Sequence, residues 1–143
     1  MDANRARHDP GVVVSLTTVR AIMSTRLVTV DPAANLTETA RVMFTGGVGS
    51  ALVLEDGSLV GIFTERDMLR ALGDSSSADL ARVSPVSKWM SSDPERIDPE
   101  TTVAEALNRM LFGGFRHLPV TDGGAVVGMV SMRDLAKSMA RPS

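Results

Sequence analysis

The sequence contains no cysteine and no tyrosine, and Trp89 is its single tryptophan. The lack of cysteine excludes disulfides, thiolate nucleophiles and cysteine-ligated zinc. Few large aromatic rings and a net charge of −2 argue against nucleic-acid binding. No apolar run is long enough to span a membrane, and residues 1–10 lack the hydrophobic stretch of a signal peptide. We therefore expect a cytoplasmic protein that binds neither nucleic acid nor membrane.

The size of the chain allows one domain or two small halves that share a core. It has 143 residues, of which 43% are hydrophobic, enough for a packed interior. Residues 1–10 are polar and charged and end in proline, followed by Gly11. We expect an N-terminal tail or extension over residues 1–15, with a short strand or a packed segment around residues 11–16 as open alternatives.

An internal duplication is the most informative feature of the sequence. The stretch Gly61–Asp67 returns as Gly128–Asp134, an offset of 67 residues. Between Val19 and Leu69, about fifteen of roughly fifty positions are identical to their counterparts, without a gap. We expect repeat 1 over residues 16–73, a polar and flexible linker over residues 74–82, and repeat 2 over residues 83–143.

The first half of each repeat predicts a strand followed by a helix. A short strand ends at Asp-Pro, because the residue before proline avoids the helical region. The helix starts with a capping box, from Asn35 to Glu38 in repeat 1 and from Thr102 to Glu105 in repeat 2. Apolar residues at i, i+4, i+7 and i+8 predict one buried stripe, formed by Leu36, Ala40, Met43 and Phe44 in repeat 1 and by Val103, Leu107, Met110 and Leu111 in repeat 2.

The second half of each repeat predicts a hairpin and a second helix. Asp56-Gly57 and Gly123-Gly124 supply the positive φ angles of a tight turn. The second helix begins at Thr64 or at Ser131. Each repeat is therefore β-α-β-β-α, with a three-stranded sheet that two helices cannot cover alone. We expect an α+β fold in which the two repeats pack about a pseudo-twofold axis, with grooves between them.

The order and spacing of several motifs resemble a tandem pair of cystathionine-β-synthase (CBS) domains, also called a Bateman module. The resemblance covers about residues 16–140, so the chain looks like a stand-alone module. The motifs that carry it are Val19–Ser24, Val30–Pro32, Leu36–Glu38 and Gly61–Asp67, and in the second copy Val86–Ser91, Ile97–Pro99, Val103–Ala106, Arg116–Val120 and Gly128–Asp134.

The resemblance implies a regulatory function. Such a module senses an adenine nucleotide or related adenosyl compound in the grooves between repeats, forms a homodimer, and signals by a conformational change to a protein partner. The implied ligand is AMP, ADP or ATP, with S-adenosylmethionine and NAD as second choices, and no cofactor is required. A ligand-free dimerising scaffold is the alternative. We expect no catalysis and no metal site, because no nucleophile motif and only one interior histidine are present.

The G-x-x-[ST]-x-x-D motif carries the implied ligand contacts. In the family its aspartate accepts hydrogen bonds from ribose and its hydroxyl faces phosphate, which assigns ribose to Asp67 and Asp134, and phosphate to Thr64 and Ser131. Each hydroxyl lies at a predicted helix N-terminus, where free N–H groups favour an anion. The same spacing also fits a helix N-cap and its third residue without any ligand.

The two predicted sites differ in charge. Arg116 and His117 align with Gly49 and Ser50, and the family often places basic residues here to reach phosphate. A solvated strand-edge arginine and a partly buried core histidine are the alternatives. Glu65 adds a carboxylate at the start of the second helix of repeat 1, where it would repel a polyphosphate.

Two further residues complete the predicted ligand contacts of repeat 2. Arg133 either reaches phosphate or pairs with a nearby acid, and Pro119 forms an apolar wall against the base. We therefore expect a charged nucleotide in the groove with the positive charge, which carries Ser131, Asp134, Arg116 and His117.

Overall fold

The structure of the chain, a computed structural model, describes residues 16–140. The predicted N-terminal tail, residues 1–15, lies outside the described residues. The chain divides into two compact units. One unit consists of residues 26–94 and is called the Thr64 unit. The other combines residues 16–25 with residues 95–140 and is called the Ser131 unit.

The Thr64 unit is built on a four-stranded sheet with the order β1-β2-β3-β4. The strands are β1 (Thr29–Val30), β2 (Ser50–Glu55), β3 (Ser58–Thr64) and β4 (Ser91–Ser92). β1 runs parallel to β2, and β3 lies antiparallel to both β2 and β4. The helices are α1 (Leu36–Gly46), α2 (Glu65–Asp74) and α3 (Ala78–Val83). The expected three strands become four because Ser91 pairs with Ile62 at the free edge of β3.

The Ser131 unit repeats this arrangement around a hairpin. Its elements are α4 (Val103–Gly113), β5 (His117–Asp122), β6 (Ala125–Ser131) and α5 (Met132–Met139). Ile97 forms a parallel bridge to Val120, and Ser24 forms an antiparallel bridge to Met129. These bridges stand at the sequence positions equivalent to β1 and β4, so both units share one strand arrangement.

The compact units are offset from the sequence repeats. Residues 16–25 begin repeat 1 in the sequence but fold with residues 95–140. The first N–H group of α4 donates to the Thr17 carbonyl at 2.7 Å, and that of α1 donates to the Ser84 carbonyl at 3.0 Å. The segment before each repeat's first strand therefore satisfies a helix terminus in the unit built from the other repeat.

Each unit has its own apolar core. Phe63 fills the core of the Thr64 unit and is fully buried, while its counterpart Val130 is fully buried in the Ser131 unit. The Thr64 core consists of Leu36, Met43, Ala51, Val53, Phe63, Ala71, Val86 and Trp89. The Ser131 core consists of Val19, Ile97, Val103, Ala106, Met110, Leu118, Val120, Val130 and Leu135.

The predicted stripe on the first helix of each repeat is wrong at its last position. Phe44 is 88% exposed and Leu111 is 64% exposed. The fully buried positions follow i, i+3 and i+7, which are Leu36, Thr39 and Met43 on α1 and Val103, Ala106 and Met110 on α4. At 3.6 residues per turn, position i+8 lies about 80° around the helix from position i, on the opposite side from i+3.

The predicted helix starts agree with the structure, except that one of the two predicted capping boxes is incomplete. Asn35 and Glu38 form a complete capping box, with the Glu38 N–H donating to Asn35 Oδ1 at 2.8 Å. Thr102 caps α4 by accepting the Glu105 N–H at 3.1 Å. The Glu105 carboxylate accepts a hydrogen bond from Arg109 at 2.9 Å instead of closing the box. The second capping box is therefore only half formed.

The stretch predicted as a flexible linker contains a helix. Ser77 caps α3 by accepting the Leu80 N–H at 3.1 Å. The polar run before Ser77 obscures this helix in the sequence, and its six residues are too few to show an apolar period. Gly47 and Gly114 adopt left-handed backbone at the C-caps of α1 and α4, where glycine ends a helix without steric cost.

Candidate functional site

Ser131 and Asp134 meet at the N-terminus of α5. The Ser131 N–H donates to Asp134 Oδ2 at 2.8 Å, and the Asp134 N–H donates to Ser131 Oγ at 3.1 Å. This reciprocal pair is a complete capping box, so the predicted N-cap role is confirmed. It also holds the carboxylate and the hydroxyl side by side at a helix terminus that favours anions.

Thr64 and Asp67 form the equivalent box at the start of α2. The Thr64 N–H donates to Asp67 Oδ2 at 2.9 Å, and the Thr64 hydroxyl lies 3.1 Å from the same oxygen. The Asp67 N–H donates to Thr64 Oγ1 at 3.3 Å. The Asp67 side chain is only 11% exposed. Both copies of the motif therefore cap a helix and place a carboxylate beside a hydroxyl.

Arg116 and His117 adjoin the start of α5. His117 pairs with Ser131 in the register of β5 and β6, and the Met132 N–H donates to the Arg116 carbonyl at 2.9 Å. Arg116 is exposed, and His117 is half-buried. The structure thus brings together four of the residues predicted for the nucleotide site, one of them a cation open to solvent.

The Thr64 unit has a carboxylate where the Ser131 unit has Arg116. The Glu65 N–H donates to the Gly49 carbonyl at 3.0 Å, the counterpart of the contact between Met132 and Arg116. Glu65 Oε2 lies 3.1 Å from the point where a Cβ on Gly49 would stand. The start of α5 therefore adjoins an arginine, whereas the start of α2 carries the Glu65 carboxylate.

Two other predicted residues lie on the same elements of the Ser131 unit. Arg133 is exposed on the first turn of α5. Pro119 is buried on β5, where it pairs with Met129 and its carbonyl accepts the Ile97 N–H at 3.0 Å. The roles of Arg133 at phosphate and of Pro119 beside a base remain predictions.

Arg70 is a functional candidate that the sequence analysis missed. Its Nη2 donates to Asp67 Oδ1 at 3.3 Å and to the Trp89 carbonyl at 2.7 Å. Its guanidinium carbon lies 5.5 Å from the centroid of the Trp89 ring, as does Lys88 Nζ. The signal that points to Arg70 is its spacing of three residues from Asp67, which places both on one face of α2.

The Ser131 unit lacks this arrangement. The counterparts of Arg70, Trp89 and Lys88 are Lys137, Ile22 and Ala21. Asp67 pairs with Arg70, whereas Lys137, the counterpart of Arg70, forms no ion pair with Asp134 within residues 16–140. The two carboxylates therefore have different electrostatic surroundings despite identical caps.

Neither a metal cluster nor a membrane span occurs in the part of the chain that the structure describes. No group of three or more histidine, aspartate or glutamate side chains among residues 16–140 is arranged to hold a metal ion. No helix within the same residues is both long and apolar enough to cross a bilayer.

The chain belongs to the CBS-domain family, whose family model matches residues 19–74 and 86–141. An uncharacterized 17.7 kDa protein of Acidianus ambivalens is 38% identical over 125 residues, which cover 86% of this chain and 73% of the relative. The crystal structure of a CBS-domain protein from Agrobacterium tumefaciens is 29% identical, with a TM-score of 0.79, and covers 87% of this chain and 100% of that one. The expected α+β fold with a repeated β-α-β-β-α pattern is confirmed.

Two more distant structures share the fold and contain adenosyl ligands. CBSX2 in complex with AMP is 22% identical, with a TM-score of 0.72, and covers 85% of this chain and 95% of that one. The CBS domain pair of protein MJ0100, in complex with 5′-methylthioadenosine and S-adenosyl-L-methionine, is 22% identical with a TM-score of 0.76 and covers 85% and 94%.

Proposed function

We propose that this chain is a regulatory CBS pair that senses an adenine nucleotide or a related adenosyl compound. The observation that carries the proposal is the cluster at the start of α5, where a helix N-terminus, the Asp134 carboxylate and the exposed Arg116 lie together. The fold is shared with proteins solved with AMP and with S-adenosyl-L-methionine, which supports a ligand of the same class.

Each part of an adenosine phosphate has a counterpart in this cluster. Asp134 is an acceptor for the vicinal hydroxyls of ribose, since one carboxylate oxygen can serve each hydroxyl. Ser131 and the first turn of α5 face the phosphate. Arg116 neutralises the phosphate, because a guanidinium matches its geometry with two parallel hydrogen bonds. His117 and Arg133 are further phosphate donors, and Pro119 contacts the base.

The cap hydrogen bonds are compatible with ligand binding. In the Ser131 unit the cap uses Asp134 Oδ2, and the carboxylate has about four lone-pair positions in total. Acceptor capacity therefore remains on Asp134 while the helix stays capped. Thr64 and Asp67 are the corresponding contacts of a second site, where Glu65 disfavours a charged ligand.

Signalling follows from differential affinity. A ligand shifts a conformational equilibrium only as far as it binds one state better than another. The regulated protein reads the resulting change in the module, which acts as a sensor and not as a catalyst.

Titration calorimetry with AMP, ADP, ATP, S-adenosylmethionine and NAD tests the proposal. We expect saturable heat and a raised melting temperature with at least one of them, because a ligand that binds only the folded state stabilises it. Mass spectrometry of small molecules released from the purified protein identifies a ligand retained from cells. Absence of heat and of thermal shift with all five compounds would refute adenosyl sensing.

A dimerising interaction scaffold is the second candidate, and exposed apolar side chains favour it. Phe44 on α1 is 88% exposed, and Phe112 on α4 is 91% exposed. A second copy of this chain is the partner we propose for these faces, since large exposed aromatic groups are costly in water. Light scattering should give twice the mass of one chain, and Phe112→Asp should lower that mass. A monomeric wild-type protein would exclude the scaffold.

A further inference from the structure

Arg70 lies in the Thr64 unit beside the carboxylate that the proposed function assigns to ribose. Its Nη2 bridges Asp67 Oδ1, at 3.3 Å, and the Trp89 carbonyl, at 2.7 Å. The guanidinium also lies 5.5 Å from the centre of the Trp89 ring, which is within the range of a cation–π contact. A carboxylate, a carbonyl and an aromatic ring therefore fix one cationic group in place.

The protein itself uses most of the acceptor capacity of Asp67, with three hydrogen bonds to a carboxylate that has about four lone-pair positions. Oδ2 lies within hydrogen-bond distance of the Thr64 N–H and hydroxyl, and Oδ1 accepts from Arg70. The Asp67 side chain is 11% exposed, so little of it remains open to another donor. A ribose diol would have to displace the Arg70 guanidinium, which holds the Asp67 carboxylate by an ion pair as well as by a hydrogen bond.

The Ser131 unit provides the internal comparison. Lys137 stands at the position of Arg70, but it forms no ion pair with Asp134 among the described residues. Ile22 replaces Trp89, so the ring that would hold a cation is also missing. The Ser131 N–H donates to the Asp134 carboxylate, and Asp134 is half-buried. The same motif is thus occupied in one unit and accessible in the other.

We infer that Arg70 is an internal occupant of the Thr64 site and restricts adenosyl binding to the Ser131 unit. The inference rests on the proposed function, because the excluded ligand is the one proposed there. Arg70 determines specificity: it sets the number of sites in a chain that carries two copies of one motif. With its site closed by Arg70, the Thr64 unit does not respond to the ligand. The fluorescence of Trp89, the single tryptophan, reports on the state of this site.

Calorimetry combined with Trp89 fluorescence tests the inference on the full chain. The compared proteins are wild type, Arg70→Gln, Arg70→Met and the matched control Lys137→Gln, each titrated with AMP and with ATP. Wild type and Lys137→Gln should bind one nucleotide per chain without a change in Trp89 emission. Arg70→Gln should bind two, and the second binding event should shift Trp89 emission. Arg70→Met serves the same purpose if Arg70→Gln does not fold, as judged by circular dichroism.

The possible outcomes separate the two ideas. One nucleotide per chain in every variant, or two per chain already in wild type, would overturn the role of Arg70 while leaving adenosyl sensing intact. Loss of a site in Arg70→Gln would also overturn it, since Arg70 would then be a ligand contact. Absence of binding in all four proteins would refute the proposed function and, with it, the role of Arg70 in closing the Thr64 site. Asp67→Ala in the Arg70→Gln background should abolish the regained site.

Discussion

Gly61 lies directly against the side chain of Met90, and a Cβ on Gly61 would stand 2.9 Å from Met90 Cγ and closer still to its sulfur. The second copy repeats the contact, with the Cβ position of Gly128 at 2.8 Å from Met23 Cγ. In each unit, the glycine that opens the G-x-x-[ST]-x-x-D motif therefore contacts the methionine of a Met-Ser pair. The glycine provides the room that the methionine fills.

This contact predicts that Gly61→Ala and Gly128→Ala each lower the free energy of unfolding by about 1–3 kcal/mol, because overpacking displaces a partly buried side chain. Gly73→Ala is the matched control. Gly73 lies within α2 with no atom within 4 Å of its Cβ position, so alanine should stabilise the helix by up to about 1 kcal/mol. Urea denaturation measures all three changes. Equal effects at Gly61 and Gly73 would contradict the packing argument.

The hairpin turns predict a second pair of effects. Asp56 and Gly57 have φ angles of 52° and 82°, and Gly123 and Gly124 have 62° and 91°. Nothing lies within 4 Å of a Cβ on Gly57 or Gly124, so alanine there costs only the left-handed conformation, about 1–2 kcal/mol. Gly123→Asp copies the first hairpin and should change stability by less than about 0.5 kcal/mol, because aspartate tolerates this conformation. Thermal denaturation distinguishes the two outcomes. A large loss in Gly123→Asp would refute the equivalence of the turns.

The sequence predicted the fold well where an interaction is local and is present twice. The caps at Thr64 and Ser131 follow from a spacing of three residues, and the turns follow from residues that tolerate positive φ. Arg70 escaped prediction because its importance depends on Trp89, nineteen residues away, which approaches only when β4 pairs with β3. Phe44 was predicted to be buried because an apolar period identifies one side of a helix but does not define the limits of its buried face.

The two caps predict unequal effects on ligand binding. Asp134→Ala should weaken adenine nucleotide binding more than Asp67→Ala, because Arg116 adjoins the start of α5 and Glu65 lies at the start of α2. Either change removes a capping contact and costs about 1 kcal/mol of stability. Thr102→Ala, which removes a cap on α4 remote from the motif, controls for this loss. Calorimetry should show weaker binding for Asp134→Ala alone. A larger effect at Asp67 would contradict the proposed preference.

The offset between repeats and compact units gives the last prediction. Val19 belongs to repeat 1 in sequence but is fully buried in the core of the Ser131 unit, while its counterpart Val86 is fully buried in the core of the Thr64 unit. Val19→Ala should therefore cost about 2 kcal/mol by leaving a cavity. The loss should accelerate amide hydrogen exchange in residues 95–140 more than in residues 26–74.

Val86→Ala is the matched variant and should show the reverse pattern. It removes the same two methyl groups from an equally buried site, so the expected total cost is the same. Exchange should then rise mainly in residues 26–74, and emission from Trp89, which packs in the same core, should change only in this variant. If Val19→Ala increased exchange mainly in residues 26–74, the stabilising contacts would follow the sequence repeats. If it increased exchange mainly in residues 95–140, the segment that contains Val19 would stabilise the unit built from the other repeat.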